Sequence, residues 1–294
     1  MSPAPFDPVS PGAPWGRRWT LAAPVAFEGT GLHTGARVAM RIEPAQVACG
    51  IHFSRVDLPG EPTVPALTAR VATTRLATTL VAGQAAVATT EHLMAALWGL
   101  GISDAFIRLE GPEVPMLDGS ALPFVNAIRE VGVIALSAPR PVRDFTAQGV
   151  GEGQSALSVV PHPETVLTVA IDYGRPPLRP TLFHFVFSPA LFASQLAPAR
   201  TFALEEDLPF LREAGLIRGA SLDGGILVGR DGFSSPLRFP DEMARHKALD
   251  LLGDLALLGV WWRGHVVAVK AGHTLHHRLA SLLDSPPTAR EDAT

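Results

Sequence analysis

The sequence has very little cysteine: Cys49 is the only one among 294 residues. A single thiol can form neither a disulfide framework nor a thiolate metal cluster within the chain, so both are excluded. We expect Cys49 to be a packed residue and not a nucleophile. The ten histidines are the better resource for metal binding or acid–base chemistry.

The chain also lacks an excess of positive charge and any long apolar run. Its formal net charge is -4, which gives no sign of a nucleic-acid partner. No stretch approaches about eighteen uninterrupted apolar residues, so we expect no membrane span. Residues 1–15 are rich in proline and lack the basic and apolar parts of a signal peptide. We therefore expect a soluble, cytoplasmic, monomeric protein with disordered tails at 1–15 and 287–294.

A row of three polar residues interrupts an otherwise apolar helix predicted at 241–258, whose leucines recur at helical spacing before Gly259. His246, Asp250 and Asp254 are four residues apart, so they lie on one face. Buried charge is costly unless it is paired or binds a metal, and an imidazole and a carboxylate one turn apart can bind zinc. Taken alone, this stretch is equally consistent with an alternative to metal binding, in which His246 and Asp250 form a surface pair that supports the helix.

A second helix is predicted at 89–101, where a threonine cap is followed by an apolar-periodic run and a closing glycine. Glu91 and His92 are neighbours near its start and point about 100° apart. They can therefore address one site from two sides, one as a base and the other as a metal ligand. The alternative is a capping glutamate beside a packed histidine.

The rest of the chain alternates strands with a few helices, which indicates an α+β fold. Residues 25–35, with three glycines around His33, predict a tight loop, and the proline-rich segment 137–143 predicts a linker between domains at 16–138 and 139–286. Residues 91–131 and 245–283 both follow the order helix, strand, loop, helix, so two facing copies of one unit would bring His92 to His246 and Asp250. The predicted strands are 37–42, 51–55, 73–81, 103–109, 155–161, 165–172, 181–187, 226–228 and 266–270, and the other helices are 121–131, 204–214 and one that ends at 283.

Two histidines and one carboxylate with an open fourth position are typical of catalytic zinc. Zinc activates water and polarises a carbonyl, and such chemistry also needs a base, an oxyanion stabiliser and an acid. Glu91 is the natural base. His273 follows a glycine after a strand, where its side chain can project into a cleft. Asp254 could hold the protonated ring of His273 in place.

Six segments together resemble the zinc-dependent UDP-3-O-acyl-N-acetylglucosamine deacetylases of lipid A biosynthesis in Gram-negative bacteria. Any one segment is a weak signal, but six in the right order, within a match from about residue 20 to 283, are specific. The resemblance implies two similar α+β domains, each a sheet with a pair of helices, stacked helix to helix with the active site between them. The segments are TTEHL at 89–93, HKALD at 246–250 with GD at 253–254, AGH at 271–273, GTGLHTG at 29–35, PMLDGS at 115–120 and ARTF at 199–202.

The resemblance also implies a role for each matching residue in hydrolysis of the acetamide of the acylated UDP-sugar. Zinc ligands would be His92, His246 and Asp250; Glu91 would be the base, His273 the acid or electrostatic stabiliser oriented by Asp254, and Thr201 an oxyanion contact. Substrate contacts would be Lys247, Phe202 and His33, with Leu208, Ile217, Ala220 and Leu222 lining an acyl passage in an insert at 204–225.

Two departures and two rival functions accompany this interpretation. Ala77 stands where the family often has cysteine or serine near the metal, which affects no step of the mechanism. Trp261 and Trp262 match no family feature, and we expect them to pack at a helix–strand junction. The rivals are a zinc amidohydrolase acting on a different acylated sugar or peptide, and a non-catalytic protein that keeps the fold and binds a lipid or partner. The second is weakened because every catalytic position holds a competent residue.

Overall fold

The computed structural model describes residues 16–285. The tails predicted at 1–15 and 287–294 lie outside the described residues. Within the described part, no helix is both long enough and apolar enough to cross a bilayer.

This part of the chain contains six α-helices and eighteen strands, and eight of the strands precede the first α-helix. The α-helices are α1 (Glu91–Gly99), α2 (Leu122–Val131), α3 (Pro189–Leu191), α4 (Leu208–Glu213), α5 (Glu242–Ala256) and α6 (His273–Asp284). The strands up to residue 139 are β1 (Arg17–Leu21), β2 (Val25–Thr30), β3 (Arg37–Pro44), β4 (Ile51–Arg55), β5 (Thr63–Pro65), β6 (Val71–Thr73), β7 (Thr79–Ala82), β8 (Ala85–Val87), β9 (Ala105–Glu110) and β10 (Val133–Pro139). The later strands are β11 (Val142–Asp144), β12 (Gln148–Glu152), β13 (Ser155–Val160), β14 (Thr165–Ile171), β15 (Thr181–Val186), β16 (Phe202–Leu204), β17 (Ile226–Val228) and β18 (Trp261–Val269).

Two large sheets have the same topology, which confirms the α+β class. The first has the order β2-β3-β9-β4-β5, and the second has the order β12-β13-β18-β14-β15 with β11 added beside β18. In each sheet the central strand, β9 or β18, is antiparallel to one neighbour and parallel to the other. The sequence repeat at 91–131 and 245–283 corresponds to this shared arrangement, since each copy carries a central strand between two helices.

Alternation of buried and exposed side chains explains why these segments form sheets. In β3, Val38, Met40 and Ile42 point to one face and are buried, as the two-residue period of a strand requires. The predicted strands at 37–42 and 51–55 are confirmed with shifts of at most two residues at their ends.

Helices α1 and α5 pack against each other. All nine residues of α1 are buried, so this helix is interior on every side. Gly253 on α5 lies against the backbone of Glu91, and a Cβ there would overlap the Glu91 carbonyl oxygen. The absence of a side chain at Gly253 therefore permits the close approach of the two helices.

Four details of the predicted secondary structure are wrong. Residues 25–30 of the loop predicted at 25–35 form strand β2. The strand predicted at 73–81 is two strands, β6 and β7, separated by a bend in which Leu76 has a φ of 65°. The segment 137–143 is not a free linker, because β10 pairs with β1 and β11 pairs with β18. Thr90 does not cap α1 with its side chain; its hydroxyl lies 3.3 Å from the Thr78 carbonyl oxygen, to which it donates.

The expected packing role of the two tryptophans is confirmed. Trp261 stacks on Trp98 with ring centroids 4.0 Å apart, and Trp262 stacks on Phe145 at 5.0 Å. Both tryptophans are buried, and this aromatic cluster joins the start of β18 to α1.

Candidate active site

Two helices bring three side chains that could bind a metal ion to one point. His92 comes from α1, whereas His246 and Asp250 lie one turn apart on α5. The Nε2 atom of His92 is 3.5 Å from Asp250 Oδ1, and the Nε2 atom of His246 is 3.3 Å from the same oxygen. The ligand atoms of this buried group all lie within 4.8 Å of one another, as binding of one ion requires.

The chemistry of this donor set fits a divalent ion of the zinc type. His246 Nδ1 lies 3.1 Å from the carbonyl oxygen of Ala199. That contact assigns the ring proton to Nδ1 and directs a lone pair on Nε2 towards Asp250. Burial lowers the pKa of His246 to about 3, although Asp250 opposes the shift. Burial alone would raise the pKa of Asp250, but His246 and Lys247 hold it well below its ordinary value. The site thus offers neutral imidazole and an anionic carboxylate.

Glu91 lies next to this group but has a different environment. The backbone N–H of Thr78 donates to Glu91 Oε2 at 3.1 Å, and the carboxyl group is buried. Burial raises the pKa of Glu91, while His273 and His92 partly oppose that effect. A carboxylate with a raised pKa, next to a group that could hold a metal ion, has the property that a general base needs.

His273 and Asp254 form a hydrogen-bonded pair. The Nδ1–H of His273 donates to Asp254 Oδ2 at 2.7 Å. Burial alone would lower the pKa of His273, but the Asp254 charge and hydrogen bond, together with Glu91, raise it to about 9. His273 is therefore a cation at neutral pH, as the predicted acid or electrostatic stabiliser should be.

Two further residues at this pair were not predicted. His276 Nδ1 also lies 2.7 Å from Asp254 Oδ2, and the hydroxyl of Thr78 donates to Asp254 Oδ1 at 2.5 Å. A spacing of three on a helix puts His273 and His276 on one face, so the sequence held a signal for His276. Thr78 is 176 residues from Asp254, and no local pattern could have indicated that contact.

A cleft of about 1320 Å³ contains nearly all of the predicted site residues. Asp254 is the exception, because it lies behind His273 and does not line the cleft. The predicted residues along its wall are His33, Glu91, His92, Thr201, Phe202, Leu208, Ile217, Ala220, Leu222, His246, Lys247, Asp250 and His273.

The cleft wall combines a cation with aromatic rings. Lys247 Nζ lies 2.9 Å from Asp250 Oδ2 and 5.7 Å from the ring centroid of Phe202. Tyr173, which was not predicted, packs edge-on against Phe202 at 5.6 Å and also lines the cleft. A fixed cation beside aromatic faces is suited to a ligand with both an anionic group and a planar or sugar ring.

The loop that carries His33 is held by a buried carboxylate. Glu113 accepts hydrogen bonds from the backbone N–H groups of His33 and Thr34 and from the hydroxyls of Thr34 and Thr89, at 2.6 to 3.0 Å. Within residues 16–285, neither ring nitrogen of His33 has a hydrogen-bond partner, although both atoms are buried. Because buried polar atoms are normally paired, this ring is available for a ligand.

Fold and site together have the features of a hydrolase of the α+β class: three side chains that could hold a metal ion, a buried carboxylate and a histidine backed by an aspartate lie around one cleft. The particular family follows from the sequence comparison. The LpxC family model, described as UDP-3-O-acyl N-acetylglycosamine deacetylase, matches residues 18–285, and the chain belongs to this family.

Curated relatives are similar over nearly the whole chain. A UDP-3-O-acyl-N-acetylglucosamine deacetylase from Thermosynechococcus vestitus is 45% identical over 264 residues, covering 89% of this chain and 92% of the relative. One of the same name from a Nostoc species is 42% identical over 271 residues, with 90% and 97% covered. One from Myxococcus xanthus is 40% identical over 275 residues, with 92% and 88% covered.

Proposed function

We propose that this chain hydrolyses the acetamide of UDP-3-O-acyl-N-acetylglucosamine, releasing acetate and UDP-3-O-acyl-glucosamine in the committed step of lipid A biosynthesis. The observation that carries the proposal is the convergence of Glu91, His92, His246, Asp250 and His273 in one cleft. The family membership and the names of the relatives support the same reaction.

We propose zinc as the cofactor, with His92, His246 and Asp250 as its ligands. Two imidazole nitrogens and one carboxylate oxygen leave a position open for substrate, as catalytic zinc requires. When bound, the ion would make water more acidic and polarise the amide carbonyl. The contact of His246 with the Ala199 carbonyl would orient that ligand before the metal arrives.

The remaining steps depend on side chains of the chain itself. Glu91 removes a proton from the attacking water while the water oxygen bonds to the amide carbon. Negative charge then develops on the former carbonyl oxygen, where Thr201 and the His273 cation would stabilise it. The C–N bond breaks as the leaving nitrogen gains a proton, which His273 supplies from Nε2 because Nδ1 is bonded to Asp254. Acetate and the free amine result.

Two groups of residues in the cleft wall would recognise the substrate. Lys247 and Phe202 would contact the nucleotide sugar, and His33 would donate or accept a hydrogen bond with one of its unpaired ring nitrogens. The insert at 204–225 supplies apolar wall residues for a fatty acyl chain: Leu208, Ile217, Ala220 and Leu222.

The shared topology of the two large sheets supports a division into similar domains at 16–138 and 139–286, stacked through α1 and α5. With ligands on both of these helices, the metal centre would exist only when the two halves pack together. We also propose a monomer acting in the cytoplasm, where a nucleotide-linked sugar would be available.

The test is acetate release from the acylated UDP-sugar by purified protein, before and after exhaustive chelation. We expect activity that chelation abolishes and added zinc restores. UDP-N-acetylglucosamine without the acyl chain serves as the matched substrate and should react much more slowly. Activity that persists after chelation would refute the metal mechanism, and a preference for an acylated sugar without UDP would favour the rival amidohydrolase.

A further inference from the structure

The second histidine on Asp254 has no part in the steps above, yet it is the more deeply buried of the two. Both histidines belong to the first turn of α6, three residues apart, so they lie on one face of that helix. His276 is 1% exposed and His273 is 8% exposed. Each Nδ1 atom lies 2.7 Å from the same oxygen of Asp254.

We propose that His276 is a positioning residue that shares Asp254 with His273 and holds this carboxylate in the orientation that aligns His273 with the substrate. The inference rests on the proposed function for the reaction that His273 serves. The contacts of His276 with Asp254 do not depend on that function. His276 does not line the cleft, so it acts through Asp254 and not on the substrate.

Hydrogen-bond chemistry fixes the direction of each contact. Burial alone would raise the pKa of Asp254, but the two histidines hold it below its ordinary value, so the group is an ionised acceptor. An ionised carboxylate only accepts hydrogen bonds, and both Nδ1 atoms must therefore carry protons. Burial lowers the pKa of His276, with Asp254 and its hydrogen bond opposing. His276 is a neutral imidazole in the Nδ1–H form, which differs from the cationic His273.

Three donors leave Asp254 no freedom to rotate. Thr78 donates to Oδ1 at 2.5 Å, and the two imidazoles donate to Oδ2. Without His276, Oδ2 would be held only by His273, the residue that must release a proton during the reaction. His276 provides a donor whose protonation does not change in the proposed cycle, so Asp254 stays in place while His273 changes charge.

These three residues also satisfy the simple geometric requirement for a metal group, but the distances favour hydrogen bonds. A metal ion would need the lone pairs of both Nδ1 atoms, whereas each Nδ1 lies at hydrogen-bond distance from a carboxylate oxygen. Metal binding at this second group is a separate outcome that the experiment below distinguishes.

Four variants test the positioning role. His276→Asn places an amide N–H near the position of Nδ1, whereas His276→Gln places it near Nε2, too far along the side chain to reach Asp254. His276→Leu removes the donor and keeps the bulk. His277→Asn is the matched control on the next residue, whose Nδ1 has no partner in the described part of the chain.

In acetate-release assays, His276→Leu and His276→Gln should lower kcat by about 10-fold or more, the usual loss when a partner that orients a catalytic histidine is removed. KM should change by less than about twofold because His276 does not touch the substrate. His276→Asn should restore kcat to within about threefold of wild type, and His277→Asn should match wild type. Equal losses in the Asn, Gln and Leu variants would mean that only packing is affected, and unchanged kcat in His276→Leu would overturn the proposal.

A second readout needs neither substrate nor metal. In NMR spectra of ¹⁵N-histidine protein, an Nδ1–H bonded to a carboxylate gives a strongly deshielded proton, so wild type should show two such signals and His276→Leu only one. If wild type shows both signals but no deacetylase activity, the proposed function fails, and so does the role of His276 in it. The hydrogen bonds from both histidines to Asp254 would still be confirmed. If wild type is active but only one signal is present, the sharing is refuted. If wild type binds a second equivalent of zinc and His276→Leu does not, His276 is a metal ligand and not a positioning residue.

Discussion

Replacing Glu91 with Gln should separate the proposed chemistry from metal binding, because Glu91 and the proposed ligand His92 are adjacent residues with different proposed roles. The substitution keeps the side-chain length and removes only the ability to take up a proton. The carbonyl oxygen of Gln can still accept the Thr78 N–H that Glu91 Oε2 accepts at 3.1 Å. We therefore expect the structure around α1 to be preserved.

The expected effect on the reaction is large and the effect on stability is small. A positioned general base contributes about 10²- to 10⁴-fold to rate, which corresponds to about 2.7 to 5.5 kcal/mol in the activation free energy. Glu91 is 3% exposed, so the neutral amide avoids the desolvation cost of a buried charge. The melting temperature of Glu91→Gln should therefore equal or exceed that of wild type.

The assay combines acetate release, zinc content by elemental analysis and thermal unfolding on the same preparation. Glu110→Gln is the matched control, since Glu110 is an exposed carboxylate at the end of β9 and its loss should change none of the three. Zinc loss in Glu91→Gln in proportion to lost activity would refute the assignment. In that event Glu91 would be a ligand, and the base would be unidentified.

Four other predictions follow from the site and its supports. Asp250→Ala should lower zinc content because an anionic ligand is lost; normal zinc content would exclude Asp250 as a ligand. Ala220→Trp or Leu222→Trp should raise KM more for a long-chain than for a short-chain substrate, since each displaced methylene contributes about 0.8 kcal/mol; equal effects would place the passage elsewhere. The activity that depends on protonated His273 should be present at neutral pH and fall as pH rises through about 9, because the folded-state pKa is raised to that value; a pH–rate profile without this limb contradicts the role. Gly253→Ala should lower the melting temperature, because overpacking costs about 1 to 3 kcal/mol and outweighs a helix-propensity gain of about 1 kcal/mol; a stabilised variant would contradict the tight contact.

Periodic patterns predicted the elements that carry the site. The spacing of four placed His246, Asp250 and Asp254 in one row, and the structure has all three on α5. Adjacent positions for Glu91 and His92 predicted two directions of approach, and both residues line the cleft. These predictions succeeded because they depend only on helix geometry, which the local sequence determines.

The failures have a different cause. At 73–81 the β-branched residues favoured one strand, but the chain bends at Leu76, and a positive φ at a non-glycine residue leaves no reliable local signal. At 137–143 proline and arginine favoured a linker, whereas pairing with β1 and β18 makes the segment strand. In the second case contacts distant in sequence overrode local preference, whereas the first is a tight turn between the neighbouring strands β6 and β7, which pair with each other.

Most of the site residues that the sequence did not reveal are supports; Tyr173, which lines the cleft itself, is not. Thr78, Glu113 and His276 hold Asp254 or the His33 loop through hydrogen bonds, two of them across 24 or more residues. Their residue types are ordinary, and only the tertiary arrangement gives them a function. His276 is the partial exception because it shares a helix face with His273.

The lack of a side chain at Gly253 determines how close the proposed metal ligands on α1 and α5 lie to one another. Helix axes usually pack about 8 to 10 Å apart, and an aspartate is too short to reach far across such a gap. With no side chain at Gly253, the backbone of α5 lies against the Glu91 backbone of α1. Asp250, one turn earlier, can then come within 3.5 Å of His92. The same contact positions Glu91 next to the ligands, so one missing Cβ sets the spacing of both the proposed metal centre and the proposed base.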